Sequence, residues 1–421
     1  MTSISLDYSG SSAAIAPSMG AHVRNTSTTC AVVRTRDEFA ALEADWNDLF
    51  ARSGAGCSVF QTFNWCWHWT NHYLDSAHGN CALSILTVRR AGRLVALWPL
   101  MTVRSAGAIR IGKWLGEPAS QYGEALIDSA ECPAEIAVAS LEAMLRDLDV
   151  QALHLRKVRA DARAMPLLTL AQARVTAEEE APYLSISSAA NFDAYEQRYS
   201  SKARKNRRRL ARRLAGHGGV TFERLTQGPD ARAAAHEAIA MKLRSLEETG
   251  RVSPAMADPR FASFFADAAE GGDHACGCGV SRMLVGGKLA ASAIDVTANS
   301  HRAAHLIVHD SAYDDCGAGM LMMEHWIRTA CDDGVRVFDL LAPAHTYKDE
   351  WADGNMLVRD FAIAATPAGR LIVAGYYGFL RPQSKMAVEW AARTATQLSA
   401  RLHGRKSPRA CDGKRPSAHT D

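Results

Sequence analysis

The apolar positions of this chain change period several times, and each change marks an element. From Arg36 to Arg52 they fall at Phe39, Leu42, Trp46 and Leu49, a spacing that predicts an amphipathic helix. Cys30 to Thr35 ahead of it predicts a strand. Gln61 to Leu74 behind it predicts a second, aromatic-rich helix. Cys81 to Val88 and Leu94 to Val103 flank the turn Ala91-Gly92-Arg93 and predict a β-hairpin. Ala152 to Val158 alternates through Leu153 and Leu155 as a further strand.

The second half begins with a different pattern. Ala231 to Glu248 and Arg260 to Glu270 have helical spacing, the latter placing Phe261, Phe264 and Phe265 inward. Three strands follow, Val280 to Val285, Leu289 to Thr297 and Arg302 to Val308, with turns at Gly286-Gly287 and Ala298-Asn299-Ser300. A turn-rich loop from Asp310 to Gly317 leads into a helix from Ala318 to Asp333, which Gly334 is placed to stop. Val335 to Leu341 predicts a strand, His345 to Asp353 a short helix, and Met356 to Ala365 and Leu371 to Tyr377 two last strands. The helix between the third and fourth strands has the length that a parallel pair requires, so the sheet is expected to be mixed. The apolar stretch Phe361 to Leu380 is interrupted by Pro367, Gly369, Arg370, Gly375 and Gly378 and is not expected to span a membrane.

Length and charge narrow the picture. The chain has 421 residues, enough for two domains plus tails. Hydrophobic residues are 48% and charged residues 22%, and the formal net charge is only +3, which argues against a nucleic-acid or membrane partner held by overall charge. The ten cysteines form no C-x-x-C pair. Cys276 and Cys278 stand as C-x-C in a Gly-rich turn, without a second ligand pair, so no metal site is expected. Reduced thiols and a leader without a basic n-region predict a cytoplasmic protein. Residues 1–28 and 404–421 are expected to be disordered, with domains at 29–185 and 186–403.

Positive charge is instead concentrated. Within a helix expected at 200–214, eight of the twelve residues from Lys202 to Arg213 are Lys or Arg, with Ala203, Leu210 and Leu214 as a narrow apolar seam. Lys202, Arg204, Asn206 and Arg208 are candidates to hold an anionic substrate, such as CoA phosphates or an anionic glycan. A solvated face, a membrane surface and RNA are the other readings. Further on, Asp314-Asp315-Cys316-Gly317-Ala318-Gly319 precedes the helix that starts near Ala318. Glycines there let a ligand approach the backbone, and the unpaired N–H groups of a helix start suit a pyrophosphate. A plain helix-entry turn is the other reading of this loop.

The order strand, glycine loop, helix, strand, short helix resembles the GNAT acyl-CoA fold. A closer resemblance is to the CelD/BcsL-type acetyltransferases associated with cellulose and other polysaccharide biosynthesis, distant relatives of the FemAB peptidyl transferases. It is carried by Phe60 to Trp65, by Gly92 to Leu100 with its Pro-Leu ending, by Lys202 to Leu214, and by Gly334, Asp339, Tyr347, Lys348 and Trp351. Asp314 stands where the family usually has Gln or Arg, and Asp315-Cys316-Gly317 where it usually has Ser-Pro-Gly. The resemblance implies an α/β (α+β) fold of two GNAT-like domains with mixed, partly splayed sheets, the first domain degenerate because it lacks a glycine phosphate loop. It implies acyl-CoA, such as acetyl-CoA, as co-substrate, bound by Val308, Gly317, Ala318, Gly319 and Met320. The acceptor would be an amine or hydroxyl of a sugar, polysaccharide or envelope precursor, lying between the domains, with a polysaccharide synthesis complex as a possible setting.

Direct transfer needs a base for the acceptor and an acid for the thiolate. Tyr347 is the candidate acid, by analogy with GNAT enzymes. His305 and His309, read as lying on one face of their strand, and Asp295 on the neighbouring strand are candidate bases. Asp339 is a candidate for catalysis, for orienting Lys348, or for capping the next helix. Lys348 and Trp351 complete the candidate substrate-binding residues. Core packing is the competing reading for Tyr347 and for the early tryptophans Trp46, Trp65, Trp67 and Trp69, which could otherwise line a sugar site. Two other functions fit the same residues: a non-catalytic module binding a glycan or partner through the basic helix, and a FemAB-like aminoacyl transferase using charged tRNA.

Overall fold

The computed structural model describes residues 28–53, 59–74, 80–105, 108–186, 191–271 and 277–380. Cys276, half of the C-x-C pair, and the expected leader and tail lie outside the described residues.

The chain is mixed α/β. One sheet of eleven strands runs through the molecule in the order Val220–Leu225, Cys278–Val285, Lys288–Ala298, His301–His309, Val337–Asp339, Arg174–Ser185, Gly354–Ala364, Ala152–Arg159, Ile109–Trp114, Leu100–Ser105, Cys81–Leu83. A second sheet joins Thr28–Val33, Ile85–Arg90, Arg93–Trp98 and Leu126–Ile127. The hairpin Ile85–Arg90 to Arg93–Trp98 turns at Ala91 (φ 49°) and Gly92 (φ 81°), the positive-φ pair of a tight hairpin turn.

The large sheet holds two parallel joints, each bridged by a crossover helix. In the C-terminal half His301–His309 lies parallel to Val337–Asp339 across the helix Ala318–Asp332. In the N-terminal half Ile109–Trp114 lies parallel to Ala152–Arg159 across the helix Pro133–Asp147. Two copies of one parallel unit thus stand side by side in one sheet. At the seam the halves exchange strands. Gly354–Ala364, from the end of the chain, lies between Ala152–Arg159 and Arg174–Ser185, while Arg174–Ser185 pairs with Val337–Asp339.

Local sequence accounts for most boundaries. Thr35 and Glu38 form a capping box on Arg36–Ala41, and a second helix, Glu43–Ser53, follows where one continuous helix was expected. Phe39, Trp46, Trp65 and Trp69 are buried together, so the early aromatics chiefly pack the core. Gly334, at φ 68°, ends the crossover helix. The strand after it is only Val337–Asp339, because Leu341 turns into the left-handed region at φ 62°. Leu371 to Tyr377 is helical, not a strand. Thr366 caps Pro367–Leu371, and the helix continues through Ile372–Leu380. The preceding strand is already paired on both edges, which leaves no edge for another to join.

Candidate active site

The sheet opens at one place with chemical consequence. His301, Arg302 and Ala303 pair with Val337, Phe338 and Asp339, and the pairing stops there. His301–His309 runs on for six more residues with Lys288–Ala298 on one edge only. Val337–Asp339 ends because Asp339 is drawn into the seam. Its carboxylate accepts from Tyr122 Oη (2.8 Å), Arg159 (3.0 Å) and the Leu341 N–H (2.8 Å). Along the opened strand the register shifts: Asp295 faces Ala304 and Ile294 faces Leu306, so His305 is the extra residue of a β-bulge.

Two adjoining cavities fill the opening. One, of about 360 Å³, is lined by Ile307, Val308, His309, Gly319, Met320, Met323, Tyr347 and Trp351, with Lys242 and Ser245 from the helix Gly228–Glu248. The other, of about 210 Å³, reaches inward past His305, Leu341, Lys348, Gln121 and Pro118, and shares Lys242, Ile307, Met323 and Tyr347 with the first. The outer cavity meets the start of the helix Ala318–Asp332. Gly317 precedes it at φ 65°, and no side chain caps it. The first N–H groups of such a helix have no intrahelical partner, and the dipole there favours an anion. Gly319 is open to the cavity, and a Cβ built on it would lie 2.9 Å from His309 Nδ1.

The glycine loop therefore divides in its duties. Val308, Gly319 and Met320 line the cavity, whereas Gly317 and Ala318 do not. A Cβ on Gly317 would fall 2.7 Å from Leu210 Cδ1 of the basic helix, and Ala318 is fully buried. Gly317 is needed for its backbone angle and for that close approach. Asp314, the carboxylate in the position where the resemblance expects Gln or Arg, is bonded to His309 Nε2 at 2.7 Å.

His305 and His309 do not share a face or an environment, because the bulge breaks the alternation between them. His309 is half-exposed at the mouth. His305 is enclosed by Phe60, Trp65, Phe261 and Phe265, with Phe265 at 4.6 Å. Its Nε2 lies 2.7 Å from the Ala119 carbonyl. A carbonyl only accepts, so Nε2 carries the proton and Nδ1 keeps its lone pair, which has no partner. Burial pushes the imidazole down to about 4. His305 is thus neutral at pH 7, in one fixed tautomer, in the wall of the inner cavity.

Tyr347 stands where the two cavities meet. It follows His345, the N-cap of the short helix Thr346–Asp349, and although the residue is 48% exposed, partial desolvation raises the phenol above its ordinary value, which keeps it protonated. Lys348 points the other way. Its ammonium donates to the Leu341 and Pro343 carbonyls (2.7 and 2.9 Å), and burial pushes it down to about 8. Lys348 holds the turn that follows Asp339, while Trp351 packs against Tyr199 and lines the outer cavity. Lys242, which the sequence did not single out, donates to the Ile307 carbonyl on the opened strand (3.2 Å), and burial lowers its pKa. An Ala-rich helix gives no signal for it.

Three groups of candidates lie away from the opening. Asp295 is fully buried and bonded by Arg224 (2.7 and 2.9 Å) and Trp326 Nε1 (2.7 Å), so it cannot meet an acceptor. Despite burial its carboxyl is held low by Arg224 and Arg302. Asp339 is equally buried, and its partners give it the structural role described above. Lys202, Arg204, Asn206 and Arg208 line neither cavity of the opening. Arg204 donates to the Glu196 and Gln197 carbonyls, Asn206 accepts from Arg209, and Arg208 pairs with Glu196 at 3.3 Å. The basic helix, Ser201–Ala215, docks through Leu210, Leu214 and a buried arginine, Arg207. Arg207 pairs with Glu324 at 2.9 Å and lies over the rings of Tyr199 and Trp351.

The comparison with known families falls on the same segment. Residues 201–349 match the family model of the acetyltransferase (GNAT) domain. The match runs from the start of the basic helix to the end of the short helix that carries Tyr347, so it encloses the opening. Among solved structures FemX superposes with a TM-score of 0.52 at 12% identity, covering 73% of this chain and 93% of that one. A tandem GNAT protein from the clavulanic acid biosynthesis pathway gives 0.43 at 15% identity, covering 81% and 99%. The FemX likeness is one of fold. No curated protein matches the chain by sequence. Among the described residues no helix is long and apolar enough to cross a membrane, and no group of three or more His, Cys, Asp or Glu is placed for a metal ion.

Proposed function

We propose that the chain transfers an acyl group, in the first instance acetyl, from acyl-CoA to an amine or hydroxyl. The observation that carries this is the parting of the sheet after Ala303, with a cavity whose wall is shared by the opened strand, the start of the Ala318–Asp332 helix and Tyr347. Pantetheine would lie along the opened edge at Ile307 to His309, with the pyrophosphate at the amides near Gly319 and Met320. That places the thioester near Tyr347, whose phenol protonates the departing thiolate. The acceptor enters the inner cavity, where the His305 Nδ1 lone pair can take its proton. Positioning supplies the rest, and no covalent enzyme intermediate is needed.

The polysaccharide-linked CelD/BcsL-type family remains the finer reading. It rests on the Phe60 to Trp65, Gly92 to Leu100 and Gly334 to Trp351 stretches, and a sugar acceptor is its consequence. Native mass spectrometry of the purified chain tests the core of the proposal. Co-purified CoA species, or a one-to-one complex on adding acetyl-CoA, are expected. A chain that binds no acyl-CoA of any length overturns this reading and leaves the binding module and the aminoacyl transferase.

A further inference from the structure

Among the described residues four line both cavities of the opening: Lys242, Ile307, Met323 and Tyr347. They enclose the passage from one cavity to the other, and only Lys242 and Tyr347 bring polar side chains to it. Lys242 belongs to the helix Gly228–Glu248, which packs in the core through Ala231, Ala234, Ala235 and Ala238, all fully buried, in one cluster with Val280, Ile294 and Ala303 of the sheet. Side chains this short let the helix backbone come close to the strands. Lys242 stands one turn after Ala238 on the same face, and its long stem reaches the opened strand. There its Nζ donates to the Ile307 carbonyl at 3.2 Å. Ile307 is the inner end of the edge that runs out to His309 at the mouth.

The ammonium has no counter-ion. Among the described residues no carboxylate pairs with it, and none lines the inner cavity. Burial lowers its pKa, and Arg251, a like charge, acts in the same direction. The other lysine of the inner cavity is placed differently: the Lys348 ammonium is held by two carbonyls and feels the opposite charge of Asp339. Of the three N–H groups of Lys242, one goes to Ile307, which leaves two uncommitted among the described residues. A cation taken out of water without an anion is costly, and such groups concentrate where a protein handles negative charge as part of its work.

We infer that Lys242 is a catalytic residue, whose ammonium binds the oxygen of the thioester carbonyl and the negative charge that builds there during transfer. The inference rests on the acyltransferase reading above, which brings the thiol end of CoA through the outer cavity and the acceptor into the inner one. The carbonyl carbon then stands in the passage, with Tyr347 for the sulfur and Lys242 for the oxygen. Attack by the acceptor's lone pair sends the C=O π pair onto oxygen, where the two remaining N–H groups meet it. The adduct collapses as the C=O bond re-forms and the C–S pair leaves on sulfur. Sulfur takes the Tyr347 proton, the acceptor's proton goes to His305, and exchange with water returns both side chains to their starting state. The bond to Ile307 fixes the ammonium before the charge appears, and a donor fixed in advance in a partly desolvated site is worth more than one in water.

The test uses the full chain and acetyl-CoA isotopically labelled at the thioester carbonyl carbon, read by difference infrared spectroscopy. In the wild-type complex the carbonyl band should lie at lower frequency than in free acetyl-CoA. Lys242→Met keeps an unbranched apolar stem and removes the ammonium, so the band should return toward its free position. Lys242→Gln, shorter and uncharged, should lose most of the shift as well. Each variant should weaken acetyl-CoA by up to about tenfold and leave the affinity for CoA, which has no thioester, nearly unchanged. A band at the wild-type position in either variant overturns the assignment. So does a wild-type complex whose band is unshifted, and in both cases the transferase reading stands. Equal weakening of CoA and acetyl-CoA places Lys242 on another part of CoA and overturns the assignment too. A wild-type chain that binds no acetyl-CoA overturns it, and one that binds no acyl-CoA of any length overturns the transferase reading with it.

Discussion

Gly317 and Gly319 stand two residues apart, and the structure predicts that alanine at each fails differently. At Gly317 the new Cβ meets Leu210 Cδ1 at 2.7 Å on a backbone fixed at φ 65°. A non-glycine residue there costs about 1–2 kcal/mol in backbone strain, and overpacking costs about 1–3 kcal/mol more. Gly317→Ala should therefore lose roughly 2–5 kcal/mol of stability. Its effect on the ligand should be small, since the methyl points at the basic helix and away from the cavity. At Gly319 the Cβ meets His309 Nδ1 at 2.9 Å and Cε1 at 3.2 Å. That imidazole is at the surface and can swing aside, so Gly319→Ala should melt within about 1 kcal/mol of wild type. The methyl nevertheless stands at the amides proposed to face the pyrophosphate. Thermal melts with and without acetyl-CoA separate the two effects. At a hundred times its dissociation constant the ligand adds about 2.7 kcal/mol, and a tenfold weaker ligand at the same concentration adds only about 1.4 kcal/mol. Gly319→Ala should show the smaller increment from a normal baseline, and Gly317→Ala the full increment from a lowered one. A Gly319→Ala protein that keeps the full increment would refute the placement of the diphosphate.

Tyr347→Phe should lower turnover by about 10²–10⁴-fold in a thiol-release assay with an active acceptor, with acetyl-CoA affinity and melting nearly unchanged; equal loss of affinity would show a packing role. Asp295→Asn should destabilise by up to about 3–5 kcal/mol, because Arg224 and Arg302 would keep only the half-exposed Asp333 as anion, and chemical denaturation reads this directly. His305 titrates near 4 in the folded chain and near 6.5 when unfolded, so the unfolded state binds more protons between these values. Its contribution is complete above pH 6.5 and is lost as the pH falls toward 4, by about 3 kcal/mol at most. His305→Gln should flatten that part of the stability–pH curve, and an unchanged slope would show that the imidazole is not buried neutral.

The sequence by itself determined the local pattern. The strand–loop–helix–strand order from Val280 to Asp339, the stop at Gly334 and the special backbone at Gly317 follow from periodicity and from glycine's freedom, which act over a few residues. Val308, Gly319, Met320 and Tyr347 were named from the family resemblance that this order carries, and they meet around one cavity. Tertiary structure decided what depends on distant partners. Asp295 reads as a candidate base and Asp339 as a candidate with several roles until Arg224, Trp326, Arg159 and Tyr122 arrive from elsewhere in the chain to engage them. Arg207 is one of eight equivalent charges in the sequence, and only Glu324, Tyr199 and Trp351 single it out for burial. The tautomer of His305 is set by the Ala119 carbonyl, 186 residues away. Pairings across such separations leave no periodic trace in either segment, because each residue is chosen for a neighbour that the chain brings in only when it folds.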